Sequence, residues 1–168
     1  MAMKPALASV AAVLLLAACQ TTSGSTTYSW PSFQSGLRPG LSSSSVKAEL
    51  PPIKLTPANP AIDPTHIAYG GEWKGWMCRN RAVDLQIAIT DVTDEGATVS
   101  YASGSKSFGA FTHPPITAHF SGDVLRGTFN NGVGLILGMR PDGNMNVKYD
   151  SDNWCTGILR NVTPLPKI

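Results

Sequence analysis

Charge is scarce in this 168-residue sequence: Asp, Glu, Lys and Arg make up 14% of it, and thirteen cations against eleven anions leave a net charge of +2. From His66 to Ile168 the signs balance at nine each. No basic stripe forms, so the electrostatic footprint of a nucleic-acid binder is missing and no nucleic-acid partner is expected. Arg79 and Arg81, separated only by Asn80, read first as solvated cations of a turn. Helical patterning is also missing, since no segment beyond residue 66 keeps an apolar face at a period of 3.6 over ten residues. Catalytic signatures are absent as well. The three histidines, His66, His113 and His119, form no HExxH, and the closest two are split by Pro114-Pro115, so neither a metal nor a cofactor is expected. Gly104-Ser105 lacks the strand-to-helix elbow of a serine hydrolase. The carboxylates sit mostly in turns, with Glu72 and Asp84 the exceptions inside strand-like runs, and solvation accounts for them without a glycosidase pair. The balance is against an enzyme.

What is present begins with the leader. Lys4 precedes an apolar run from Ala6 to Ala18 broken only by Ser9, and Cys19 follows directly. A positive start, a short apolar core and a small-residue exit describe a secretion signal, and the run is too short for a permanent membrane span. Leu16-Ala17-Ala18-Cys19 closely resembles the lipobox of bacterial lipoproteins. That resemblance implies removal of residues 1–18, lipidation of Cys19, and a permanent membrane anchor through several acyl chains. Gln20 in place of Asp after the cysteine implies sorting to the outer membrane in Gram-negative members of that family.

Residues 19–65 read as the lipidated N-terminus and a disordered Ser/Thr/Pro linker. From Gln20 to Thr65 there are seven of the thirteen prolines and the serine run Ser42 to Ser45. Apolar residues there follow no period, and the prolines from Pro51 onward forbid a helix or a central strand. Such a linker holds a domain well clear of a bilayer. Tyr28, Trp30 and Phe33 lie close to the anchor and read equally as interfacial or solvated aromatics.

Residues 66–168 form the folded domain. Short alternating runs such as Val83, Leu85, Ile87, Ile89 are separated by turn chemistry, Asn131-Gly132 and Asp142-Gly143 being the residues that tight hairpins select. Eight or nine strands are expected, with Ser107–Phe111 and Ile116–Ser121 read as separate pieces. The fold class is all-β: a small antiparallel up-and-down barrel of about eight strands, with a sandwich as the alternative. Two cysteines remain after Cys19, and an even remainder in an exported chain reads as a Cys78–Cys155 disulfide. Cys78 ends the first strand and Cys155 opens the last. In an even-numbered closed meander these strands are antiparallel neighbours, which brings the two cysteines together. Gly71-Glu72-Trp73-Lys74-Gly75-Trp76, followed by hairpin after hairpin, resembles the Gly-x-Trp start of calycin-type barrels, the avidins and lipocalins. That resemblance implies a fold and assigns no site.

The expected interior set is Val83, Leu85, Ile87, Ile89, Val99, Ile116, Phe120, Leu125, Phe129, Leu135, Leu137 and Val147, bulky enough to fill a narrow barrel. Trp73, Trp76 and Trp154, with Arg79 and Arg81, are grouped near the cysteines as a possible binding surface. Plugging of the barrel end by these tryptophans is the favoured reading over a ligand mouth. The expected function is therefore a non-enzymatic, outer-membrane-anchored lipoprotein whose surface contacts an envelope protein or polysaccharide. A carrier with a ligand inside the barrel and a protease inhibitor are the alternatives.

Overall fold

Alternation along Val83 to Thr90 places Val83, Leu85, Ile87 and Ile89 on one strand face and Asp84, Gln86 and Ala88 on the other. The computed structural model describes residues 37–150 and 155–167 and repeats this logic through eight strands. They are β1 (Gly71–Met77), β2 (Val83–Thr90), β3 (Gly96–Ser105), β4 (Gly109–Ser121), β5 (Val124–Thr128), β6 (Gly134–Met139), β7 (Met145–Tyr149) and β8 (Thr156–Pro164). Each pairs antiparallel with the next, and β1 pairs antiparallel with β8, so the sheet closes as an up-and-down barrel and not as a sandwich. Cys19, Tyr28, Trp30, Phe33 and Trp154 lie outside the described residues.

Two stretches expected as separate pieces are one strand. β4 runs through Pro114-Pro115 because these two residues face a single one, Ser100, where the β3–β4 register shifts. Proline has no N–H to give to a ladder, and a bulge is where a strand tolerates it. The turns follow the expected chemistry, with Gly132 at φ 82° and Gly143 at φ 77°.

The lumen is filled by the barrel's own side chains. Leu85, Ile87, Ile89, Val99, Leu125, Leu135, Leu137 and Val147 are at most 1% exposed, and the other expected interior residues join them, Phe120 at the margin. Trp73, Met77, Tyr101, Met145 and Leu159 complete the packing. One end is closed by a short helical turn, α1 (Pro64–Ile67), and the residues after it. The Tyr69 hydroxyl donates to the Asp123 carbonyl at 2.6 Å and accepts from the Met139 amide at 3.1 Å. The Trp73 indole donates to the Tyr69 carbonyl at 2.8 Å, and His66 stacks on Phe120 at 3.8 Å. At the other end Tyr101 and Tyr149 share a hydroxyl hydrogen bond of 2.5 Å beneath Phe129 and His113.

The expectation of a disordered linker as far as Thr65, with the domain beginning at residue 66, is corrected from Leu37 on. As the prolines require, residues 37–63 contain no helix or strand. They nevertheless lie against the outer wall as a strap, held by side-chain hydrogen bonds to Asp84, Gln86 and Thr112. Composition excludes regular structure there. It does not exclude docking, because docking needs only donors and acceptors at the right places on the wall.

Cys78 and Cys155 form the disulfide, with Cα atoms 3.9 Å apart and a separation of 77 positions in sequence. Loop-closure entropy for a loop of that size predicts a stabilisation of about 4 to 5 kcal/mol. Urea unfolding of a Cys78→Ala/Cys155→Ala variant is expected to show a loss of that size. A loss below about 1 kcal/mol would mean that strand pairing alone closes the barrel.

Candidate functional site

The aromatic and basic residues grouped near the cystine do not form one surface. Trp73 and Trp76 are three residues apart on one strand, an odd spacing that sends them to opposite faces. Trp73 is in the lumen at 1% exposure, in the half of the barrel away from the cystine and bonded to Tyr69. It is a core plug. Trp76 is on the outer wall, 6% exposed, and its indole donates to the Arg38 carbonyl of the strap at 3.2 Å. The Arg81 guanidinium sits 5.2 Å from the centre of its ring, and Arg79 is exposed in the adjoining 3-10 turn, Arg79–Arg81. Of the grouped residues, only Trp76 and Arg81 are thus in contact among the described residues. The His113 and His119 side chains are separated for a related reason: the proline bulge changes the alternation, leaving His113 beside Tyr101 at one mouth and His119 opposite Arg126.

What the fold does assemble is a strap-and-wall site on the outside of β8, β1 and β2. Asp84 is its hub. This carboxylate accepts from the Ser42 hydroxyl at 2.5 Å and the Ala48 amide at 2.9 Å, and Lys47 Nζ lies 3.4 Å away. Above it, Ser43 donates its amide to the Arg81 carbonyl at 2.9 Å and its hydroxyl to the Asn80 carbonyl at 2.8 Å. Both acceptors belong to residues with positive φ, Asn80 and Arg81 at 58°. Below it, the Leu50 amide donates to Gln86 Oε1 at 3.4 Å and Thr112 Oγ1 donates to the Glu49 carbonyl at 3.1 Å. The strap crosses β3 at Gly104, where a Cβ would come within 2.6 Å of the Lys47 carbonyl carbon. Only glycine admits so close a backbone.

In the sequence Asp84 reads as a solvated carboxylate and Ser42 to Ser45 as linker, with no sign that they meet. An Asp in the middle of an alternating strand is the one available signal, and solvation explained it equally well. The serines at 42 and 43 carried no period or spacing from which their partners, about 40 residues away, are deducible.

A second concavity lies at the cystine-side mouth. Phe111, His113, Pro114, Ile116, Phe129, Asn130 and Asn131 line a cleft of about 190 Å³. Burial pushes the His113 imidazole below its usual value, so the ring is neutral at neutral pH. Beneath it, burial drives the Tyr101 phenol well above the ordinary tyrosine value, with the neighbouring Tyr149 adding to the rise, and burial also raises Tyr149. At the opposite end burial pushes Tyr69 up to about 12. These phenols serve as hydrogen-bonding groups at the two ends of the barrel, and the His113 ring stands edge-on to Tyr101 at 5.1 Å between centroids. Comparison of the chain with family models, curated proteins and solved structures gives no match, so function has to be read from this geometry.

Two outcomes are expected. Asp84→Ala removes the carboxylate that the strap's donors meet, a loss of about 1.5 to 3 kcal/mol for hydrogen bonds to a charged group. Trypsin is then expected to cut after Lys47 at least tenfold faster than in the unsubstituted protein, with the barrel intact. Equal rates would show that the strap is held elsewhere. The phenols set the alkaline limit. A pKa raised on folding contributes stability that is complete below the unfolded value of about 10 and falls as pH rises towards the folded value. Tm is therefore expected to hold to about pH 9 and to drop through pH 10 to 12. A Tm unchanged at pH 11.5 would contradict it.

Proposed function

We propose that this protein is a non-catalytic, lipid-anchored envelope module that works through the outer surface of its barrel. In this reading Cys19 carries the lipid, the chain sorts to the outer membrane, and the partner is an envelope macromolecule. The observation that carries the reading is the filled lumen. A carrier needs an interior volume that its ligand occupies, and small-molecule sites span roughly 300 to 1,000 Å³. Here the space between the walls is taken by Trp73, Met77, Leu85, Ile87, Tyr101, Leu125, Leu137 and Met145, each at most 1% exposed. The Tyr69 and Tyr101–Tyr149 hydrogen bonds close the two ends above and below them. The surface, by contrast, has concavities and a strap that adds backbone and charged groups to the wall. A barrel packed in this way gives no support for internal cargo.

Native mass spectrometry of the purified protein tests the choice. The expected spectrum shows the chain with its Cys19 lipid and no apolar molecule retained inside. A stoichiometric apolar ligand would overturn the surface reading in favour of a carrier. Metabolic labelling with palmitate checks the anchor, and label that persists in Cys19→Ser would remove it from the account.

A further inference from the structure

A groove of about 320 Å³ lies between the strap and the outer wall, with Lys74, Arg160 and Gln86 on the wall side and Leu41, Lys47 and Glu49 on the strap side. Its volume is at the low end of small-molecule sites and far exceeds the roughly 30 Å³ share of one water. Lys74 of β1 and Arg160 of β8 are direct cross-strand partners, and both are exposed. Like charges placed directly opposite each other destabilise a strand pair. Among the described residues, neither cation makes an ion pair with a carboxylate. Asp84 is engaged by Ser42, Ala48 and Lys47, and Glu72, on the same face as Lys74, accepts from Thr163 Oγ1 at 3.2 Å. Glu49 is the one acidic side chain left in the groove, against two cations. Gln86, cross-strand partner of Lys74 on its other side, is 9% exposed. Its Oε1 accepts from the Leu50 amide, which orients the side chain and leaves Nε2 as a donor without an acceptor among the described residues.

A repelling cation pair beside an oriented amide donor, walled by a strap, is a set of donors that outnumbers its acceptors, since Asp84 is engaged by the strap and Glu49 alone remains. We propose that this groove binds the phosphate or carboxylate group of an anionic glycan. The inference rests on the surface reading above. It names the partner's chemistry: an oxyanion between Lys74 and Arg160, with the attached sugar against Gln86 and the strap. Leu41, 77% exposed, is the large apolar side chain on this groove's rim. Beside that one exposed apolar residue the lining is mostly polar and charged, which suits a hydroxyl-rich ligand, so the occupant argued for is a glycan, and a lipid headgroup is the outcome that the vesicle arm tests.

Calorimetric titration of the full chain in detergent micelles tests this, with glucuronate and glucose 6-phosphate as probes, glucose as the neutral control, and anionic phospholipid vesicles as the lipid arm. Both anionic sugars are expected to bind with an affinity that falls as salt rises, and glucose is expected not to bind. Lys74→Glu is expected to weaken binding at least tenfold while raising Tm, because it turns a repelling pair into an attracting one. A groove without a ligand role would show the Tm gain with no binding to lose. Arg160→Gln, which keeps a polar side chain on an exposed position, is expected to weaken binding without altering the fold. The proposal is overturned if neither anionic sugar binds, if only the vesicles do, or if Lys74→Glu binds as tightly as the unsubstituted protein. Failure of the surface reading has a different signature, an apolar ligand retained in the native mass spectrum.

Discussion

Everything else in this structure depends on the pairing of β1 with β8. Those two strands are at opposite ends of the folded sequence, and their antiparallel ladder from Gly71 to Met77 turns an open meander into a closed wall. Closure removes both sheet edges and creates an inside that must be filled or hydrated. The apolar parity of all eight strands fills it. The disulfide between Cys78 and Cys155 stands where the same two strands meet and shortens the search for that non-local contact. Once closed and packed, the barrel leaves its outer wall as the place where chemistry differs from that of a plain β-domain.

On that wall the strap is the organising addition. Its contacts are polar and point to one carboxylate, Asp84, with Gln86 and the turn carbonyls of Asn80 and Arg81 as secondary sites. A carboxylate on a strand is satisfied when donors surround it, and here the donors come from a segment with no regular structure of its own. The strap also accounts for a tryptophan that looks misplaced on an outer face. Trp76 is covered by the Arg38 carbonyl and the Arg81 guanidinium, so its large apolar surface is not left to water.

Strand parity and turn residues made most of the barrel legible in the sequence. Val83 to Ile89 alternates too cleanly for any other element, and Asn131-Gly132 and Asp142-Gly143 mark hairpins by the conformations they tolerate. Closure was legible from two cysteines bracketing the strands, on the condition that their number, read as eight or nine, is even. The continuity of β4 was not, because Pro114-Pro115 signals a break unless the facing strand happens to supply one residue for two. The site was the least legible part. Grouping Trp73 with Trp76 followed their nearness along the chain, whereas their odd spacing on a strand separates them. The strap's hydrogen bonds to the wall join residues 36 to 63 positions apart and leave no periodic trace, so only coordinates bring Ser42, Ala48 and Leu50 to Asp84 and Gln86.

The central claim is that the lumen is full and function belongs to the wall. Crystals of the protein pressurised with xenon test it most directly, since xenon occupies dry apolar cavities and leaves packed interiors empty. The account predicts no xenon site among Leu85, Leu125, Leu137 and Met145 in the unsubstituted protein, and one that appears when Leu137→Ala opens a cavity there. An ordered xenon atom among those residues in the unsubstituted protein would contradict it and return the barrel interior to consideration as a ligand site.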